Sequence, residues 1–404
     1  MRIPLALGIV AVLAISEQLA GGPPQAPWKS LPEASPVGQQ ASTGSYIVRD
    51  RAKTPWERPR FEYHEEAAMG RKLAKVAVVI YNPVLESEGG KSLIEHLGAN
   101  DPVEFSHILA NVIREASWGY INYEIVDIVE IDGYPRKVDG FLYTDETFME
   151  VRKTQKWQPS TSSYRAILEE AKLIERCRDE QITEVWLWGA GGMHFDEFAG
   201  YIPNRYARFA PTENPWFYRP YDIPPEIGHT MWVMGFNYEV GADNMIHSYT
   251  HRVESMAALA MGDGIWETYG QRDPWNVFTW LECDHKGTPS QVGNCHVPPN
   301  GEQGYDYNNA RRALSWADGW YRYPDLRGKA RLISSAEWGN NQFGYQKWIL
   351  EHVPKYPGST AYGYNNWWVY IANTDEDLPA WKPPHPSRFV LPKGMPLASE
   401  PPAK

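Results

Sequence analysis

The sequence is short of cysteine, of basic runs and of long apolar segments, and each shortage narrows what the chain can do. Three cysteines in 404 residues leave room for a single disulfide. Lysine and arginine number 39 against 50 aspartates and glutamates, a formal net charge of −11. With no strongly basic stretch, this argues against nucleic acid or an anionic membrane surface as the main partner. No Gly-Lys-Ser/Thr follows the glycine turn at Gly189-Ala190-Gly191-Gly192, so that turn is not a phosphate loop. There is no G-x-S-x-G elbow, which counts against a serine hydrolase, and no internal repeat. After the N-terminus, no hydrophobic segment reaches membrane-spanning length.

What remains is an ordinary globular balance, 43% hydrophobic, 22% charged and 13% aromatic, apart from 18 tryptophans. Residues 1–16 carry one Arg, an apolar run from Ile3 to Ile15 and a small-residue site at Ala14-Ile15-Ser16. This pattern predicts a secretory signal peptide, with a retained N-terminal anchor as the alternative. The mature chain is then expected to be soluble and secreted, periplasmic or at the cell surface, without stable membrane insertion. Residues 17–60 are rich in Pro, Gly, Ser and Gln and read as a linker or wrapping arm. Residues 61–378 form one α/β domain of catalytic type, and 379–404 a proline-rich tail.

Within the domain, the apolar run after Lys75 predicts a strand buried on both faces. A helix follows from Pro102 to Trp118, then a strand from Tyr123 to Ile131, a helix from Ser163 to Asp179 and a strand from Ile182 to Trp188. This β-α-β-α-β order implies parallel strands with right-handed crossovers. A long irregular stretch, Gly189 to Ile227, precedes a fourth strand from His229 to Phe236. Further on, the pattern gives helices at Trp275 to Glu282, Ala310 to Trp320 and Gln342 to Val353, a fifth strand at Ala330 to Ala336 and a sixth at Tyr364 to Ile371. The expected architecture is a mostly parallel open sheet of about six strands with helices on both faces, with an irregular β/α barrel as the alternative. In either, the carboxyl ends of the strands are the usual site.

The most informative stretch is Gly241 to Gly262, a helix with Asp243 or Asn244 as N-cap and no interior Gly or Pro. Ile246, Tyr249, Val253, Met256, Ala257 and Ala260 make its core face. His247, His251 and Glu254 share a second stripe about 140° round from that face. They are therefore expected to face solvent or a cleft. Two histidines one turn apart can both point at a divalent ion, and Glu254 or His296 can supply a third ligand. Zinc is the expected metal. A base for water activation would come from Glu197, Glu239 or Asp196.

The pentapeptide His247-Ser-Tyr-Thr-His251 resembles the HExxH motif of zinc peptidases, with Ser248 where that family has its general-base glutamate. It also resembles the H-[ST]-x-x-H motif of polysaccharide deacetylases. The paired aspartates of that family's first strand are missing, since Val-Val-Ile-Tyr-Asn-Pro stands there instead. Both resemblances imply metal-dependent cleavage of an amide or ester, on a peptide or an acylated glycan.

Two other constellations compete. Glu239 and Glu337 follow the fourth and fifth strands, with Trp338, Trp367 and Trp368 close in sequence. Two carboxylates and aromatic platforms are what glycoside hydrolysis needs, and Glu337-Trp-Gly resembles the nucleophile strand of several barrel glycosidases. A non-catalytic glycan-binding protein would use the same tryptophans. His194, Asp196 and Glu197 follow the glycine turn and suit a substrate loop. His296, Asn300, Asp306, Asn308 and Asn309 form a polar loop of the kind that binds calcium through oxygen, although not with EF-hand spacing. Cys283 and Cys295 are spaced for a disulfide, with metal ligation through the Cys283-Asp-His and Cys295-His pairs as the alternative. Cys177 lies on the apolar face of its helix and reads as a buried free thiol.

Overall fold

The computed structural model describes residues 72–201, 222–261, 274–326, 329–360 and 363–372. The readings of 1–60 and of the tail from 379 lie outside them. Five strands build the central sheet: β1 (Lys72–Tyr81), β2 (Ile121–Ile131), β3 (Ile182–Gly189), β4 (Phe198–Tyr201) and β5 (Met231–Asn237). Their order is β2-β1-β3-β5-β4, parallel except for β4, which runs antiparallel to β5 at the edge. Helices surround the sheet, so the fold is α/β, with five strands in the sheet rather than about six.

Residue alternation decides which face each strand gives to which helix. In β3, Trp186 and Trp188 point to the face covered by α1 (Pro102–Ala116). The Trp188 indole donates to Ser106 Oγ at 2.9 Å and its ring lies 6.0 Å from Phe105. Asp101 caps α1 by accepting from the amides of Val103 and Glu104, and Pro102 stands at its first position, where no donor is lost.

Several expected elements differ. The helix expected over Ser163 to Asp179 is two, α3 (Tyr164–Glu170) and α4 (Ile174–Glu180), because Lys172 takes a left-handed backbone with φ 56°. The irregular stretch after Gly189 contains β4. Helix α2 (Asp145–Thr154) was not foreseen, although Thr144 and Thr147 form a capping box there. Beyond the sheet, α5 (Ala242–Met261) is followed by α6 (Pro274–Phe278). Where a helix was expected over Ala310 to Trp320, β6 (Ala313–Ser315) pairs antiparallel with β7 (Arg331–Ile333) in a separate ribbon. The fifth expected strand therefore never joins the main sheet. Helix α7 (Gln342–His352) matches expectation. The sixth expected strand is replaced by a two-residue strand and α8 (Trp368–Ala372), started by Asn366 accepting from the Trp368 amide at 3.0 Å.

Helix α5 lies at the centre of this arrangement. It contacts β5 and β4 of the sheet on one side and α6, α7 and α8 on others. Its apolar positions Ile246, Tyr249, Val253 and Met256 are buried as expected. So is its polar stripe: His247 and His251 are each 5% exposed and Glu254 1%. Expected to face solvent or a cleft, the stripe is instead buried, because the C-terminal third of the chain covers it.

Candidate metal centre

The buried group of His247, His251, Cys295 and His296 could hold a metal ion, its ligand atoms all lying within 4.8 Å of one another. The details define it further. His251 Nε2 is 3.0 Å from His247 Nε2 and 3.0 Å from His296 Nε2. Ligands at ~2.0–2.1 Å from one ion stand roughly 3 Å apart. Three imidazole nitrogens this close, all turned by the same edge, present lone pairs that repel each other unless a proton or a cation lies among them.

Helix geometry supplies the first two, since residues four apart stand one above the other on α5. The third comes from a turn held at many points. Gly293 has φ +90°, and a side chain there would meet the Val297 carbonyl and the Tyr345 hydroxyl. Asn294 Oδ1 accepts from the amides of His296 and Val297 at 3.0 and 2.9 Å. The Tyr345 hydroxyl, from α7, reaches the Asn294 and Val297 carbonyls at 2.8 and 3.0 Å.

Behind the ligands stands a second set of groups. Glu254 accepts from the Cys295 amide through Oε1 at 2.7 Å and faces His251 Nδ1 through Oε2 at 3.1 Å. Both of its oxygens are engaged, so Glu254 orients His251 instead of ligating. On the far side of the His247 ring, Nδ1 meets Cys295 Sγ at 3.4 Å, and Sγ faces Gln346 Oε1 at 3.4 Å. Gln346 Nε2 in turn donates to the Cys295 carbonyl at 2.9 Å. The Gln346 amide nitrogen also stands 3.2 Å from His247 Nδ1, so Cys295 and Gln346 together hold the far edge of that ring and leave Nε2 turned toward the other two imidazoles. Burial, reinforced by Glu254 and Glu197, pushes the Cys295 thiol well up, so it stays protonated there.

Two of the three histidines are held neutral. Burial, and then the neighbouring His251 and His296, hold His247 down to about 2. Burial and His251 hold His296 down to about 4. Both are neutral, as ligation requires. For His251, burial opposes the charge, but the Glu254 hydrogen bond and the carboxylates of Glu197 and Glu254 outweigh it and raise the group. Glu197 reaches the centre from the start of β4, its Oε2 3.9 Å from His251 Nε2 and its side chain 39% exposed. The open side of the centre is therefore the Glu197 side.

The other candidates are placed elsewhere. Glu239 forms a two-point ion pair with Arg152 and accepts from the Gly191 amide at 2.6 Å. Glu337 is held by Arg331, which also grips Asp318. Trp338 is 4% exposed and Trp367 1%, the latter packed among Trp275, Phe278, Trp320 and Tyr323, so neither offers an open ring face. Asp196 accepts from the Tyr164 hydroxyl at 2.8 Å, and His194 packs edge-on against Trp157. In the polar loop, Asn300 Nδ2 donates to the Asn309 and Arg311 carbonyls and Asp306 Oδ2 accepts from Asn309 and Glu302. These groups tie the loop to itself.

The expected Cys283–Cys295 disulfide is corrected: all three cysteines are free, and Cys177 and Cys295 are buried. Cys295 faces His247 and Gln346 inward, while His285, from the other half of the pair, stacks on Trp280 at 3.4 Å. Sequence reasoning missed Gln346 and Tyr305, which carry no pattern of their own. A cleft of about 730 Å³ opens after β1 and β2, lined by Asp132, Tyr134, Arg136 and Glu169, and shares no residue with the centre. Among the described residues, no helix is long and apolar enough to cross a membrane. The chain matches no known family model, no curated protein and no solved structure, so any family assignment is left open and the reading of this centre rests on its own geometry.

Proposed function

We propose that the protein is an exported, divalent-metal-dependent hydrolase of amide or ester bonds, acting on a peptide or an acylated glycan. The observation that carries this reading is the pair of imidazole nitrogens, from His247 and His296, each 3.0 Å from His251 Nε2, with the Glu197 carboxylate beside it at 3.9 Å. Zinc suits a three-histidine set with one side open. When bound, the ion supplies Lewis acidity and lowers the pKa of a water in contact with it.

The chain's own residues divide the remaining work. His247, His251 and His296 hold the ion, and Glu254 and Cys295 fix the first two rings from behind. Glu197, half open to solvent, is the base: a water oxygen bonds to the substrate carbonyl carbon and its proton passes to Glu197. The acyl–oxygen or acyl–nitrogen bond then breaks, and the leaving alcohol or amine takes that proton. Glu197 thus fills from a different element the role that Ser248 leaves vacant on the helix. The carboxylate pair Glu239 and Glu337 has no comparable support, since each is engaged by an arginine.

Metal analysis of the purified chain, with hydrolysis of p-nitrophenyl acetate, acetylated xylan and casein, tests the proposal. We expect one equivalent of metal, its loss in His247→Ala, and retained metal with at least ~100-fold slower hydrolysis in Glu197→Gln. Substoichiometric metal, with thermal stability unchanged by chelator, would overturn it.

A further inference from the structure

Three tyrosines surround the histidine centre, and they differ in what their hydroxyls do. Tyr307 is buried and donates to the Cys295 carbonyl at 2.8 Å. Tyr345 is buried and engages the Asn294 and Val297 carbonyls. Both brace the ligand turn. Tyr305 is 51% exposed, and among the described residues its hydroxyl has no hydrogen-bond partner. Among the described residues, the other large hydrophobic side chains exposed to a similar degree are aliphatic.

Its placement is specific. The Tyr305 ring lies 4.9 Å from that of His296, and 6.0 Å from that of His247 at an interplanar angle of 17°, so it roofs two of the three candidate ligands. The backbone is left-handed there, with φ 62°, a conformation that Gly or Asn adopts at lower cost. A bulky residue in it is an outlier of the kind found where local structure serves a site. Its own amide donates to the His296 carbonyl at 2.6 Å, which ties the strained residue to the ligand.

We infer that Tyr305 is the substrate-facing hydrogen-bond donor of this centre, holding the carbonyl oxygen of an ester or amide as negative charge develops on it. The inference rests on the hydrolase reading above and sharpens its ligand class: a group with a carbonyl or equivalent oxyanion that can reach the ion beside the exposed Tyr305 ring. A donor aimed at developing charge is a large contributor in acyl transfer.

Acetohydroxamate, a planar carbonyl oxyanion, serves as the probe, added to the Co(II)-loaded full-length chain, whose visible absorption reports occupancy and ligand binding. Tyr305→Phe is expected to leave the Co(II) spectrum and stoichiometry unchanged and to weaken acetohydroxamate at least ~10-fold, as loss of a hydrogen bond to a charged oxygen does. Tyr305→Ala should weaken it at least as much. Wild-type affinity in Tyr305→Phe overturns the inference and leaves the metal centre standing. Failure of the wild-type chain to take up Co(II) overturns the hydrolase reading and this one with it.

Discussion

The helix that carries His247 and His251 is locked to the sheet by a buried ion pair, and breaking that pair should be costly in a measurable way. Glu184 of β3 and Arg252 of α5 approach to 2.8 Å with side chains 4% and 1% exposed. Glu184 is further satisfied by the Tyr123 hydroxyl on Oε1 at 2.8 Å and the Trp186 indole on Oε2 at 3.1 Å. Arg252 donates to the Ile371 carbonyl at 3.3 Å and lies 4.4 Å over the Trp232 ring. Removing one partner of such a pair strands the other charge in a medium that cannot solvate it, which costs about 3–5 kcal/mol. Glu184→Gln keeps the shape and the Tyr123 contact, so a loss of that size would measure the stranded guanidinium. Arg252→Met should cost about as much by stranding the carboxylate. The double variant should be less destabilised than the sum by at least ~2 kcal/mol, the signature of direct coupling. Urea unfolding followed by tryptophan fluorescence gives the three values, with an unchanged m-value as the check that the same structure unfolds. Single variants costing under ~1 kcal/mol, or a strictly additive double, would refute the reasoning.

Two further outcomes follow from other buried groups. Lys355 is 5% exposed, and burial lowers its pKa to about 7, against an ordinary 10.5. Its folded-state pKa lies below its unfolded one, so the unfolded chain binds more protons between those values and stability gained from this group rises with pH across that window. The penalty is fully present below pH ~7 and relieved by pH ~10.5, so Lys355→Met should stabilise by a few kcal/mol at pH 6 and by much less at pH 10. A constant difference between wild type and variant across urea titrations would refute this. Because all three cysteines are free, a thiol reagent should count three in denaturant without reductant, with Cys177 and Cys295 protected in the native chain; a count of one would restore the Cys283–Cys295 disulfide.

The legibility of this chain follows from how local each signal is. Strands β1, β3 and β5 were readable because each carries an unbroken apolar run of four to six residues, Val76 to Tyr81, Val185 to Trp188 and Met231 to Phe236, which has few alternatives to a central parallel strand. Helix α4 was merged with α3 because Lys172 turns left-handed without a Gly or Pro to announce it. The ribbon of β6 and β7 failed for a related reason: three-residue strands are too short to show a period. The polar stripe of α5 was assigned to solvent or a cleft because amphipathicity registers only two environments, and cannot tell water from a polar interior.

By itself, then, the sequence determined that His247, His251 and Glu254 share one side of a long helix entering from a strand's end, because a helix's own geometry fixes spacing at three and four. Only the tertiary structure decided what those residues face. It brought in His296 from 45 positions beyond His251, set Glu197 on the open side, and turned Glu254 from a candidate ligand into the group behind His251. Those choices depend on how Gly293 to Val297 folds against Tyr345 and Gln346 on α7. Contacts between segments so far apart leave no periodic trace in the sequence, because what fixes them is the packing of whole elements against one another.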